Sequence, residues 1–229
     1  MRVEAFRPHL RFGQNCLVQL IAITISASVM VVPLHAGTPP ASVTMRRHHV
    51  VAPNPRIQIV IANRGTIVAE LFPDKSPKTT AHILALVQKK FYDRLLFHNV
   101  TKGFMAVTGD PKSRSVDGAK IAKLSEIEVA AKYRLGSGGS GSTVPLEPGL
   151  SHVRGTLGLF RSLRNINSGD SQFFFNLQDN QTNDVTYCVF GAVVQGLGVM
   201  DQISQGDRIM SIRVLPAALP AYAQPAPKK

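Results

Sequence analysis

The stretch Ser171-Gln172-Phe173-Phe174-Phe175-Asn176-Leu177 carries the side chains best suited to hold a ligand. Side chains alternate along a strand, so three consecutive phenylalanines cannot share one face. If Phe173 and Phe175 fill a core, Phe174 lines another apolar surface and Gln172 shares its face. That makes a candidate binding floor with one amide beside it. A second stretch, residues 97–110 (FHNVTKGFMAVTGD), reads as two short strands around a turn. Phe97, Val100, Phe104 and Met105 are apolar, Gly103 tolerates an unusual backbone angle, and Gly109-Asp110 closes the stretch.

Other chemistries fail on their surroundings. His48-His49 could ligate a metal, but no third ligand stands nearby, so no metal is expected. Residues 136–141 (GSGGSG) match G-x-G-x-x-G, yet a dinucleotide site needs a helix next, and Pro145 and Pro148 forbid one. A flexible loop is expected instead, and no cofactor. Cys188 lies in Tyr187-Cys188-Val189-Phe190-Gly191, a buried-strand context that suits a small hydrophobe better than a reactive thiol. The other cysteine, Cys16, falls in an expected signal segment, whose removal would leave Cys188 without a disulfide partner.

Together the two chemistry-bearing stretches resemble the cyclophilins, a peptidyl-prolyl isomerase family whose members carry F-H-R-V-x-x-G-F-M-x-Q-x-G-D and then S-Q-F-F-I. The resemblance runs from about Ile57 to Val214. His152 to Leu159 is similar to the family's H-x-R-G-T-x-x-M strand entry, and Tyr187 to Val194 to its Y-x-V-F-G-x-V-V. Two positions depart from the pattern. Asn99 stands where the family has its catalytic Arg, and Val107 where it has Gln. Thr182 takes the place of a Trp beside the pocket, in a chain with no Trp at all, which counts against cyclosporin-type ligands.

The resemblance implies an isomerase of X–Pro bonds, a reaction with a barrier of ~18–20 kcal/mol. Catalysis needs a groove that holds the twisted amide better than the planar one. Twisting localises a lone pair on the proline nitrogen, so a cationic donor aimed there gains strength in the transition state. By family correspondence Phe104, Met105 and Phe174 form the proline pocket and Tyr187 flanks it. Phe160 and Arg161, at the family's Ala-Arg position, join the substrate-binding set. The catalytic positions are Gln172, which holds the substrate backbone, and Asn99, which donates a shorter and neutral hydrogen bond. Charge-assisted hydrogen bonds contribute ~1.5–3 kcal/mol against ~0.5–1.5 for neutral ones. A rate loss of at least ~10-fold follows. Arg161 and Arg164 are the arginines that could replace the lost cation.

The elements that position these residues are mostly strands. Ile57, Ile59 and Ile61 alternate with Gln58, Val60 and Ala62, Asn63-Arg64-Gly65 turns the chain, and residues 66–72 return. Ser76-Pro77 starts a helix, with Ser76 as cap and Ile83, Leu84, Val87 and Phe91 on its apolar face. Leu197, Met200 and Ile203 mark a second helix, ended by Gly206. The insertion 111–135 contains an amphipathic piece, residues 121–133, that reads as an extra helix. Periodicity supplies the strands; the resemblance implies a mainly β fold, a closed eight-stranded antiparallel barrel with two capping α-helices.

Domain organisation follows. Residues 1–36 pair a basic start (Arg2, Arg7, Arg11) with an apolar run and an Ala-ended exit, which reads as a secretory signal peptide or, alternatively, an uncleaved N-terminal anchor. Residues 37–56 read as a linker, 57–215 as the cyclophilin-like domain with its Gly-rich loop at 136–142, and 216–229 as a disordered tail. A periplasmic or secreted protein is expected, or one anchored in the inner membrane. The net charge of +12 lacks the long basic runs and interleaved aromatics of nucleic-acid binders, so no nucleic acid is expected. Expected partners are proline-containing peptides or unfolded proteins, met by a monomer. Two other functions stay open: a non-catalytic proline-peptide-binding chaperone or scaffold, and a protein held to anionic surfaces by its charge.

Overall fold

The computed structural model describes residues 53–216. The signal or anchor segment, nearly all of the linker, Cys16 and the tail beyond Pro216 lie outside the described residues. Among the described residues there are eight strands and four helices. The strands are β1 (Arg56–Ile61), β2 (Gly65–Leu71), β3 (Asn99–Thr101), β4 (Met105–Thr108), β5 (Thr156–Leu159), β6 (Phe173–Asn176), β7 (Cys188–Gln195) and β8 (Ile209–Leu215). The helices are α1 (Pro77–Gln88), α2 (Gly118–Ile121), α3 (Glu126–Tyr133) and α4 (Leu197–Asp201).

Every strand pairing is antiparallel, in the order β3-β4-β6-β5-β7-β2-β1-β8. The result is a curled half-barrel rather than the expected closed barrel. Its end strands β3 and β8 share no ladder. The segment before β3 bridges part of the gap: Arg94 donates to Ile209 O (2.8 Å), Ile209 to Leu95 O (2.8 Å) and Phe97 to Asp207 O (2.9 Å). Arg94 takes a left-handed turn (φ 69°) at the start of this contact, and Leu96 and Arg208 pair there as an isolated bridge.

The alternation in β1 does what its pattern predicts, burying Ile57, Ile59 and Ile61 in the main core. Helix α1 adds Ile83, Leu86 and Val87 to that core and packs against β7 and β8, while α4 packs against β2. The α1 cap differs from expectation. The Ser76 hydroxyl turns back to Phe72 O, and the Glu147 carboxylate accepts from Lys78 N (3.1 Å) and Thr79 N (2.8 Å) instead. A distant loop thus satisfies the free N–H groups of the helix start.

The expected extra helix over 121–133 is shortened to α3, and a separate one-turn α2 precedes it. Asp117 caps α2 by accepting from Ala119 N (3.0 Å). Ser125 and Glu128 form a reciprocal capping box that starts α3 afresh. The insertion carries its own small core of Leu96, Ile121, Val129 and Leu135. Gln205 ties it to the barrel by donating to Ile121 O and Leu124 O, both at 2.7 Å. At Gly118 and Gly206 the two backbones touch so closely that a Cβ on either would strike the other's carbonyl.

Candidate functional site

Residues directly opposite in an antiparallel ladder share a face. Asn99 pairs with Val107, Val107 with Phe174, and Phe174 with Gly158, so these four make one row across β3, β4, β6 and β5. Thr101, Met105 and Asn176 make the next row on the same face. Phe173 and Phe175 point the other way, into the main core. Gln172 precedes Phe174 by two residues and holds its place in the sheet by accepting from Phe160 N (2.9 Å). The alternation read from three consecutive phenylalanines is therefore the alternation of the sheet.

Two adjoining cavities open on this face. The first, of about 630 Å³, lies between the Gly-rich loop and a wall of Phe160, Arg161, Gln172 and Tyr187. That volume falls in the range of ligand sites. The second, of about 270 Å³, has His98, Asn99, Val107, Phe160 and Gln172 on the sheet side. Its other wall is the insertion: Glu126, Val129 and Ala130 of α3, with Leu135. Glu126, Phe160 and Gln172 line both.

The Gly-rich loop is pinned rather than flexible, a correction to the sequence reading. Asp110 accepts from Gly136 N (2.7 Å), Gly138 N (3.0 Å) and Lys112 N (2.8 Å). Asp170 accepts from Gly141 N (3.0 Å) and from the Ser140 hydroxyl. A Cβ at Gly138 or Gly139 would run into these carboxylates. Two side chains that sequence reading passed over thus hold the roof of the first cavity.

The structure brings Asn99, Phe160 and Gln172 together at the second cavity and Phe160, Arg161, Gln172 and Tyr187 at the first. Phe104, Met105 and Phe174 line neither. Phe104 ends the β3–β4 turn, its N–H donating to Thr101 O (3.0 Å), with Gly103 at φ 69° supplying the left-handed residue. Met105 is half-buried on the face of Val107. Phe174 is fully buried. His152 stacks on it with centroids 5.6 Å apart, and Tyr187 meets it edge-on at 5.4 Å. Phe160 in turn stacks on Tyr187 at 6.0 Å. The aromatic floor exists, with half-buried Tyr187 and Phe160 as its outer layer and Phe174 beneath.

Gln172 is held by its amide nitrogen, which donates to Gly138 O (2.7 Å), leaving its Oε1 unpartnered. Arg161 is spent on the wall. It donates to Thr186 O (2.6 Å) and Ser162 O (2.9 Å) and lies 5.7 Å from the Tyr187 ring centroid. It does not line the cavity that holds Asn99. Arg164 is exposed and lines neither cavity. Asn99 makes no side-chain hydrogen bond among the described residues.

Burial sets the protonation states. Burial holds the His98 imidazole below its ordinary value, against the opposing pull of Asp110, Leu96 O and Gln172. Burial does the same to His152, which shares a 3.1 Å hydrogen bond with the Asn176 amide. Burial pushes the Tyr187 hydroxyl up, with Arg161 pulling down and Glu126 adding to the rise. Burial also pushes the Cys188 thiol up, so it is no nucleophile at neutral pH. Among the described residues no group of three or more His, Cys, Asp or Glu gathers in a metal-binding array. What remains is a groove of aromatic and apolar walls with a few neutral hydrogen-bonding groups. It can hold a peptide and polarise it, and it offers no covalent route. His98, Glu126, Val129 and Leu135 were not foreseen as site residues. The signal for Glu126 was present in Ser125-Glu126-Ile127-Glu128, a helix start placed just before the Gly-rich loop.

Comparisons with known proteins agree with this frame. Residues 56–217 match the family model of the cyclophilin type peptidyl-prolyl cis-trans isomerase/CLD. A Brucella suis protein named "Probable peptidyl-prolyl cis-trans isomerase" is 39% identical over 145 residues, covering 62% of this chain and 68% of that one. The Synechococcus elongatus peptidyl-prolyl cis-trans isomerase is 31% identical over 160 residues, covering 69% of this chain and 94% of that one. In structure, a cyclophilin type peptidyl-prolyl cis-trans isomerase of Cryptosporidium parvum superposes with a TM-score of 0.58 at 22% identity, over 72% of this chain and 99% of that one. The same Cryptosporidium protein, crystallised in the presence of the dipeptide Ala-Pro, gives 0.57 at 23% identity, over 70% of this chain and 99% of that one. With the motif stretches side by side on one curled sheet and the family model matched along the whole of it, the chain belongs to the cyclophilin-type peptidyl-prolyl cis-trans isomerases.

Proposed function

We propose that this isomerase binds proline-containing segments of unfolded proteins across Phe160, Gln172 and Tyr187, and turns them over slowly because Asn99 stands in for the family arginine. The observation that carries the reading is the Asn99–Val107 pair. The two departures from the family pattern are direct cross-strand partners. An arginine at 99 would need a polar neighbour to aim it, and Val107 provides none. Without the arginine, a polar neighbour has no task. Arg161 does not take over, since it is held by Thr186 O and Ser162 O at the first cavity and does not line the one that holds Asn99. Gln172 lines both cavities beside the bound segment, and Asn99 donates a neutral hydrogen bond toward the twisted amide. The Ala-Pro dipeptide used with the Cryptosporidium relative supports a proline ligand here.

The basic start and apolar run of residues 1–36 support a role in folding proteins of the cell envelope. Fractionation of cells making the full chain with a C-terminal tag tests this, and tag confined to the cytoplasm would rule it out. For turnover, cis/trans exchange of a short Ala-Pro peptide is followed by NMR with the full chain and with Asn99→Arg. Slow acceleration by the native chain and a faster Asn99→Arg support the reading. Signal broadening without acceleration supports the second reading, a proline-peptide-binding module without turnover. The lack of a free cation among the residues lining the Asn99 cavity favours that alternative.

A further inference from the structure

The insertion does more than decorate the barrel, because it supplies a whole wall of the second cavity. We propose that this cavity is a subsite for a cationic side chain, a lysine or arginine flanking the proline of the client chain, and that Glu126 selects it. The inference rests on the peptide-binding reading above and specifies which peptides.

The shape and chemistry of the cavity argue for such an occupant. Val107, Val129, Ala130, Leu135 and Phe160 make most of its wall apolar. An aliphatic stem can lie along them while its charged head stays near the mouth. Glu126 is the only acidic or strongly basic residue in the lining. It belongs to both cavities, so it stands where they meet, and its carboxylate acts on Tyr187 across the groove. It forms no ion pair among the described residues. His98, the other titratable residue in the wall, is neutral because burial disfavours its charged form.

Two further polar groups on the same wall are already withdrawn from solvent. Gln172 is 7% exposed with Oε1 unpartnered, and His98 is 3% exposed with Nδ1 unpartnered. The family's arginine would have placed a cation of the protein's own beside them; Asn99 leaves that charge to the client. Apart from Glu126, the adjoining cavity is lined by one charge of each sign, Arg161 and Asp170. Arg161 is held by Thr186 O and Ser162 O, and Asp170 is engaged by Ser140 and Gly141.

The test uses the full chain and two peptide series around Ala-Pro. In one, lysine stands immediately before or after the dipeptide; in the other, uncharged norleucine takes the same place. Dissociation constants come from NMR shift titration at low and high salt, with exchange rates measured on the same samples. One lysine peptide is expected to bind about two- to fivefold tighter than its norleucine counterpart, as a solvent-screened ion pair allows. That preference should shrink in high salt. Glu126→Gln should remove it, bringing the lysine and norleucine affinities together. Glu126 is exposed at the start of α3 and outside the capping box, so the variant retains the fold. Equal binding of lysine and norleucine peptides, or a preference that survives Glu126→Gln, overturns the inference and leaves the isomerase reading intact. Failure of every peptide to bind or exchange overturns both.

Discussion

Restoring the family arginine should raise the exchange rate, and restoring its partner should raise it further. Asn99 sits half-buried at the edge of a cavity of about 270 Å³, so Asn99→Arg has room for the longer side chain. A charged donor exceeds a neutral one by about 1–1.5 kcal/mol. If that difference is realised only in the twisted state, the rate rises about five- to tenfold. An unanchored arginine gives some of this back, because its side chain carries about 2 kcal/mol of rotamer entropy. Val107, directly across the ladder, is where an anchor belongs. The double variant Asn99→Arg/Val107→Gln should therefore exceed Asn99→Arg, and Val107→Gln alone should gain nothing. Residues in contact commonly couple by about 0.5–3 kcal/mol. The assay is NMR exchange of an Ala-Pro peptide at equal saturation, with melting curves to confirm folding. If the folded double variant binds the peptide and is no faster than the native chain, the argument from a cation at position 99 is wrong.

Three other perturbations probe the frame around the site. Gly158→Ala puts a methyl into the Phe174 ring and should cost about 1–3 kcal/mol as an overpacked contact. An unchanged melting temperature would show that the floor is looser than described. Glu147→Ala uncaps α1 and should cost about 0.5–2 kcal/mol in urea melts, with Glu147→Asp less damaging. Equal stability of native and Glu147→Ala chains would count against the cap. Finally, His98 and His152 both have pKa values lowered by burial. Both stay neutral in the folded state where the unfolded chain already binds protons, so stability is full above about 6.5, the ordinary histidine value. It falls as the pH drops below that value, by up to about 1.4 kcal/mol per pH unit for each histidine, until the folded-state values are reached. Denaturant melts between pH 7.5 and 5 check this, and a His152→Gln variant should show a shallower fall. A stability independent of pH over that window would refute it.

Much of the frame was legible before any coordinates. Alternation in β1 and the three phenylalanines of 173–175 encode their faces directly, because a strand has a period of two. The motif stretches likewise carried Asn99, Gln172 and Tyr187 to one region. The helix break within the insertion was less visible: its amphipathic pattern runs on across Ser125, and the capping box interrupts it. The sequence by itself determined the strands, the family and the loss of the arginine, since these depend on local residue types. Tertiary structure alone decided the rest. Glu147 caps a helix some 70 residues away in sequence, Asp110 and Asp170 pin the glycine loop, and Glu126 reaches the cavity from an insertion. It also left the sheet a half-barrel, because its end strands meet only through the segment before β3. Each of these is a contact between distant segments, and such contacts leave no period in the sequence to read.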